Sequence, residues 1–168
     1  MEHIQYYPTD HHNLSLIEAK YQTFAFQRHY HLDFHLGLIT HGAQRFQSQG
    51  NSHHAGHGQI VLMPPDELHD GQSILDSGYE VNVFAIEPYL LSDLADLKQN
   101  GQIIHFNELI ISDPQVFSQL RNLHRLLRRE NLSQLTKDCL PFDGFNLLFD
   151  RYGSVSYTHL TLPTINWV

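Results

Sequence analysis

The sequence predicts a mainly β domain followed by α: an antiparallel β-barrel, then a C-terminal helical pair. Three observations carry this. Polar and apolar residues alternate from His29 to Leu36, so His29, His31, Asp33 and His35 share one face of an extended segment while Tyr30, Leu32, Phe34 and Leu36 take the other. Short strand-like runs separated by Gly, Pro and Asn recur through the first half, the spacing of a barrel or sandwich. After Ser112 the period changes, and Val116, Phe117, Leu120, Leu123, His124 and Leu127 recur three and four residues apart, as on a helix.

Taken in order, residues 1 to 13 are polar, with Pro8, Asp10, His11 and His12, and read as a mobile N-terminal arm. From Leu14 to Ile39 the pattern is apolar and aromatic with polar alternation. Thr40 to Ala43 and Gln49 to Ser52 supply turns. Ile60 to Met63 form a continuous apolar run, a buried strand stopped by Pro64 and Pro65, which lack the donor a sheet ladder needs. Glu80 to Glu87 suit a strand covered on both faces, with Val81, Val83 and Ala85 on one and Asn82, Phe84 and Ile86 on the other; Pro88 ends it. The barrel core is thus residues 14–88, and 89–153 form a helical linker and dimerisation region.

In that second region Ser112 or Asp113 caps a helix with Pro114 in its first turn. A second apolar stripe runs through Leu132, Leu135 and Cys139. Phe142, Phe145, Leu148, Phe149 and Tyr152 give a further face, with Pro141 and Gly144 expected to kink or interrupt it. Such stripes must be buried on the barrel or on a second chain, and periodicity does not decide between them.

Composition narrows the function. The 168 residues amount to one domain, and no apolar run approaches the ~20 residues of a membrane span. The start lacks a basic end and an apolar stretch, and Cys139 is the single cysteine, so a reducing, cytoplasmic setting is expected. Ten Lys plus Arg against eighteen Asp plus Glu give a net charge of −8, which opposes binding to a phosphate backbone. The basic cluster Arg121, Arg125, Arg128 and Arg129 reads as a solvated helix face. No P-loop, GxGxxG or Ser/His/Asp order is present.

The histidines are the candidate chemistry. If their face lined the barrel interior and His69 entered from a neighbouring strand, the result would be a polar pocket in an apolar wall, the usual form of a small-molecule site. Imidazoles can hydrogen-bond hydroxyls or a carboxylate. Arg45, like Arg28, would clamp an acidic ligand, and Tyr79 would stack on one or close over it. A sugar, an amino acid and a small aromatic acid all fit this set. His53, His54 and His57 lie in a Gly-rich hairpin and read as exposed.

The run Arg28-His29-Tyr30-His31, then Gly37-Leu38-Ile39, Gly42, Gly58 to Leu62, Pro64 to Gly71 and Gly78-Tyr79, in this order, resembles the sensing domain of AraC-type transcriptional regulators. The resemblance covers roughly Leu14 to Gly153. It implies a cupin-like barrel (a double-stranded β-helix) that binds a small effector, a helical pair that makes a homodimer, and a separate helix-turn-helix domain for DNA. The N-terminal arm would fold over the effector.

On that resemblance, His29, His31, Asp33, His35, Arg45, His69 and Tyr79 bind the effector, for which a sugar is one candidate. Phe117, Leu120, Leu123 and Leu127 make the dimer, and DNA is reached only through a C-terminal part outside this chain. No cofactor and no catalysis are implied. Metal cupins imply the alternative, a small metal-dependent enzyme such as a dioxygenase or isomerase: His29, His31 and His69 hold their three histidine positions and His35 the position of their carboxylate. Asp66 stands where those enzymes prefer glycine, which favours the metal-free reading.

Val155 to Thr164 looks like an in-frame translation of a sequencing-library transposon end and adaptor. Residues 154–168 are therefore set aside as a non-native tail, and the natural product is expected to continue past Gly153.

Overall fold

The computed structural model describes residues 2–95 and 103–156. Its elements are β1 (His3–Pro8), β2 (Leu14–Tyr21), β3 (Ala25–His29), β4 (Phe34–Ser48), β5 (Asn51–Gly56), β6 (Ile60–Met63), β7 (His69–Ser73), β8 (Tyr79–Ile86), α1 (Pro88–Leu94), β9 (Ile103–Phe106), β10 (Ile110–Ile111), α2 (Pro114–Leu127), α3 (Gln134–Tyr152) and β11 (Gly153–Ser156). This is the predicted order of mainly antiparallel β followed by helices.

The strands form a cupin-like sandwich in which β4 belongs to both layers. Its first half lies between β8 and β6 in a layer ordered β1-β2-β8-β4-β6-β10, and its second half pairs β5 and β7, with β3 beyond β7. The layers do not close into a complete cylinder. Thr40 to Ala43, expected as a turn, instead lie inside β4 where its register with β8 shifts. Gly42 makes that passage possible: its φ is +70, and a Cβ there would stand 2.2 Å from the Gly78 carbonyl oxygen. Gln49 and Gly50, both at positive φ, do form the expected hairpin turn into β5.

Strand parity in the larger layer sorts two apolar clusters. Leu14, Leu16, Leu36, Leu38, Ile60, Leu62, Phe84 and Ile86 face the helices. Ala19, Tyr21, Val61, Met63, Tyr79 and Val81 face the second layer. This is the two-sided burial expected of β8 and β6. The core extends past residue 88, because β10 pairs with β6 and α1 buries Leu91 and Leu94.

Asp113 caps α2 as expected. The stripe expected to dimerise does not face outward: Phe117, Leu120 and Leu123 are buried on the sheet, Leu120 completely, and Leu127 packs against the same cluster. A helix packed between a sheet and another helix spends its apolar face there, so Phe117, Leu120 and Leu123 are not available to a second chain, while Leu127 is half-buried. Of the second stripe, Leu135 is 74% exposed and Cys139 is exposed, so neither is buried on the barrel. Nor does Pro141 interrupt α3. The Lys137 carbonyl, left without its i+4 donor by the proline, accepts a hydrogen bond from His11 Nε2 at 3.1 Å. Gly144 leaves room for Leu123, whose side chain would come within 2.5 Å of a Cβ.

The N-terminal arm is an ordered edge strand. β1 pairs with β2 from His3↔Lys20 to Pro8↔Ser15, and the Glu2 carboxylate accepts from the backbone N–H groups of Gln22, Thr23 and Phe24. Of the tail set aside above, Ser154 to Ser156 continue from Gly153 in pairing with β9; residues 157–168 lie outside the described residues. No helix among the described residues is long and apolar enough to cross a membrane.

Candidate functional site

Between the two layers lies a cavity of about 430 Å³. The register assigns its walls. Ser15, Ala85, His35 and Met63 lie side by side on β2, β8, β4 and β6; one step along come Ile17, Val83, Gly37 and Val61; further on come Ala19 with Val81, then Tyr21 with Tyr79. Phe26, Gln44, Phe46 and Gly71 face them from the second layer. One end is therefore polar and histidine-rich, and the other aromatic.

The histidines do converge, though not on one strand. β3 ends at His29 and β4 begins at Phe34, so residues 30–33 form a bend in which Tyr30 and Leu32 turn out to solvent. His29 faces His69 across the β3–β7 ladder, their ring centroids 4.4 Å apart. The backbone N–H of Asp66, donating to the His31 carbonyl at 2.8 Å, draws the bend against the loop before β7. The His31 ring then stacks on His35 at 3.8 Å and lies 5.1 Å from His69.

Backbone hydrogen bonds fix two tautomers. His29 Nδ1 lies 2.8 Å from the Gln27 carbonyl and His69 Nδ1 lies 2.8 Å from the Glu67 carbonyl. A carbonyl only accepts, so each Nδ1 carries the proton and each neutral ring keeps its lone pair at Nε2. Burial and then the neighbouring His35, His69 and His29 push His31 down to about 3, with Asp33 opposing. Burial, followed by His69 and His29, brings His35 down to about 4, and burial lowers His69 as well. His31 and His35 are thus neutral at pH 7.

Asp33 and Tyr79 line the cavity as expected, with Tyr79 buried against Tyr21 at 5.3 Å between ring centroids. Arg45 does not. It is exposed on the outer side of β4, in a groove with Arg28, because Gln44 and Phe46 take the inward parity on either side of it. The set of four histidine ligands also separates: donor atoms of His29, His31 and His69 lie within 4.8 Å of one another, while His35 is a stacking partner. The sequence reading missed the apolar wall of Ile17, Tyr21, Phe26, Phe46, Val61, Met63, Val81 and Val83. Its signal was the same parity that grouped the histidines, continued onto β2, β6 and β8.

Three imidazoles, two with their Nδ1–H groups anchored to backbone carbonyls, are a donor set that fits a divalent transition metal. Metal–nitrogen bonds of about 2.0–2.1 Å would need the rings to draw closer than they stand.

The family model described as AraC-like ligand binding domain matches residues 11–143. No curated protein matches significantly. Among solved structures, a conserved protein of unknown function, SPY1581 from Streptococcus pyogenes, is 12% identical over 52% of this chain and 75% of its own, with a TM-score of 0.46. A cupin 2 conserved barrel domain protein from Salinispora arenicola is 15% identical over 57% of this chain and 84% of its own, at 0.46. Oxalate decarboxylase from Bacillus subtilis, which has Mn(II) centres, is 18% identical over 50% of this chain and 25% of its own, at 0.43. Likeness at these scores carries no argument about chemistry.

Proposed function

The chain belongs to the AraC-like ligand binding domain family, and from that premise we propose that it is the effector-sensing and dimerisation domain of an AraC-type transcription regulator, cytoplasmic and non-catalytic. The observation that carries the sensing part is the cavity: the matched span includes both sheet layers apart from β1, and their inward residues surround a space of small-molecule size. DNA recognition would belong to a helix-turn-helix region outside this chain, consistent with its net charge of −8.

β8 offers the route by which an occupied cavity could act on the helices. Val81, Val83 and Ala85 line the cavity, while Phe84 on the opposite face meets Phe145 of α3 and His124 of α2, each at 5.1 Å between ring centroids. One strand separates ligand from helices, so a ligand that shifts β8 changes the packing of both. Homodimerisation is part of this reading. Since most of the α2 stripe is buried within the chain, exposed apolar residues of α3, Leu135 and Phe142, are among the groups that could support it.

The test is a thermal-shift screen of the purified chain against a library of sugars, amino acids, alcohols and aromatic acids, with sedimentation at high concentration. A saturable shift from one class, abolished by filling the cavity with Ala85→Phe, supports sensing. Failure of every class, or a shift unchanged in that variant, overturns it; a strict monomer removes the dimer.

The converging donor atoms of His29, His31 and His69 favour a second reading, a metal-dependent cupin enzyme. Those residues would hold the ion, which would supply Lewis-acid polarisation of a bound oxygen. Stoichiometric metal after purification, lost in His31→Ala/His69→Ala, supports it; metal-free protein after growth in supplemented medium removes it.

A further inference from the structure

We infer that the cavity selects a largely apolar molecule with a single hydrogen-bond-donating head, an aromatic or aliphatic alcohol or phenol, rather than a sugar or a carboxylic acid. This rests on the sensing reading above and names the class of ligand.

The first argument is the tautomers. Because Nδ1 of His29 and of His69 donates to a backbone carbonyl, each ring in its neutral form directs a lone pair at Nε2 away from those bonds. Rings only 4.4 Å apart then offer two acceptors and no donor to the same head group. A hydroxyl proton satisfies that arrangement. A carboxylate meets the lone pairs of these two rings.

The second argument is charge. Among the described residues lining the cavity there is no Lys or Arg, Arg45 having turned outward, and Asp33 is a carboxylate at the histidine end. A buried anion would have no cation to pair with, and an unpaired buried charge is the costliest group to accommodate.

The third is the gradient along the register. Past the histidine layer the walls are Ile17, Val83, Val61, Phe26 and Phe46, ending at Tyr21 and Tyr79. Burial holds Tyr21 up at about 12, as an apolar enclosure does. A sugar carries a hydroxyl on nearly every carbon, and each one buried against those walls would lack a partner. Along that length the polar side chains are Gln44 and the hydroxyls of Tyr6, Tyr21 and Tyr79, fewer than a sugar's hydroxyls require. A ring or short alkyl chain loses nothing there and fills the volume.

The experiment is isothermal titration of the whole chain at pH 8 with 2-naphthol, its methyl ether 2-methoxynaphthalene, 2-naphthoate and a panel of pentoses and hexoses. Expected is saturable binding of 2-naphthol, at least about tenfold weaker binding of the ether, which has no donor, and of the anion, and none of the sugars. Val83→Asp, which puts a charge in the apolar stretch, is expected to abolish the naphthol signal, with circular dichroism to verify that it folds; Val83→Asn serves if it does not. Equal binding of 2-naphthol and its ether overturns the tautomer argument. Equal or tighter binding of 2-naphthoate overturns the charge argument. Sugar binding without naphthol binding overturns the ligand class while upholding sensing. If neither binds, the ligand class fails, and sensing is judged separately by the wider screen.

Discussion

Replacing Asp113 separates two things its carboxylate does at once. Oδ1 caps α2, accepting from the N–H groups of Gln115 at 3.0 Å and Val116 at 3.1 Å. Oδ2 accepts from Arg151 Nη1 at 2.7 Å and from the Tyr152 hydroxyl at 3.1 Å, fastening the end of α3 to the start of α2. Burial opposes ionisation, but these bonds outweigh it and bring the carboxyl from 3.8 to about 2. The unfolded chain therefore takes up the proton first on acidification. The stabilisation is complete above about pH 4 and is lost as pH falls through about 2.

At about 1.4 kcal/mol per unit, that shift is worth about 2 kcal/mol at neutral pH. Asp113→Asn keeps an oxygen for the cap and loses the ionic part, so it should cost about 2 kcal/mol at pH 7, or about 4–8 °C in Tm. Asp113→Ala should cost about 1 kcal/mol more, for the cap. Urea unfolding followed by circular dichroism between pH 7 and about pH 3 measures both. The deficit of the Asn variant should shrink as pH drops below about 4. A deficit that is constant with pH, or an Ala variant no worse than the Asn variant, would refute the reasoning.

The remaining predictions concern other elements. His124 is 1% exposed, and burial brings it down to about 4 even with a Glu18 oxygen 3.9 Å away and the backbone of Val83 and Ile17 opposing. The unfolded chain protonates first between about pH 6.5 and 4, so His124→Leu should gain about 1–2 kcal/mol on wild type at pH 5 and flatten the acid limb; equal pH profiles would count against it. His11→Ala should cost about 1 kcal/mol, and much less in a Pro141→Ala background, where residue 141 regains the N–H that Lys137 lacks. An additive double-mutant cycle would show that His11 does not serve that carbonyl. Gly42→Ala should unfold the chain or cost well over 2 kcal/mol, because its Cβ would meet the Gly78 carbonyl oxygen at 2.2 Å, whereas Gly50→Ala, with nothing within 4 Å, should cost only the ~1 kcal/mol of positive φ. Similar melting temperatures for the two would remove the steric account.

Much of the fold was legible because one period dictates each half. Ile60 to Met63 and Val81 to Ile86 carry two-sided burial on their face, and Asp113 with Pro114 marks the start of α2 without ambiguity. What failed was long-range. Whether the α2 stripe meets a sheet or a second chain is not written in its spacing, and neither is the partner of the Lys137 carbonyl, which comes from 126 residues away. The site divides in the same way. Parity over His29 to His35 gave the right four cavity-lining residues through a wrong local structure, since the bend at 30–33 restores the facing that a continuous strand would have had. Arg45 was lost to the same rule: strand parity puts it outside, but the register shift near Gly42 separates it from the histidine numbering, and the sequence does not announce that shift.

The cavity also depends on what its walls omit. Ala19 and Ala85 on the larger layer, and Gly37 and Gly71 on either side, sit at inward positions where a β-sandwich core normally sets Leu, Ile or Phe. Well-packed interiors leave few spaces above the size of a water molecule, and empty volume costs roughly 24 cal/mol per Å³ in measured core truncations. Apolar walls and small residues would therefore be a poor choice for stability alone. Their combination with histidines gathered at one end, two of them anchored through Nδ1 to backbone carbonyls, is what a binding site requires and what a core does not. Sequence drift toward larger inward residues would stabilise the sandwich and close the cavity, so the small residues, more than the histidines, mark this interior as one kept open for a ligand.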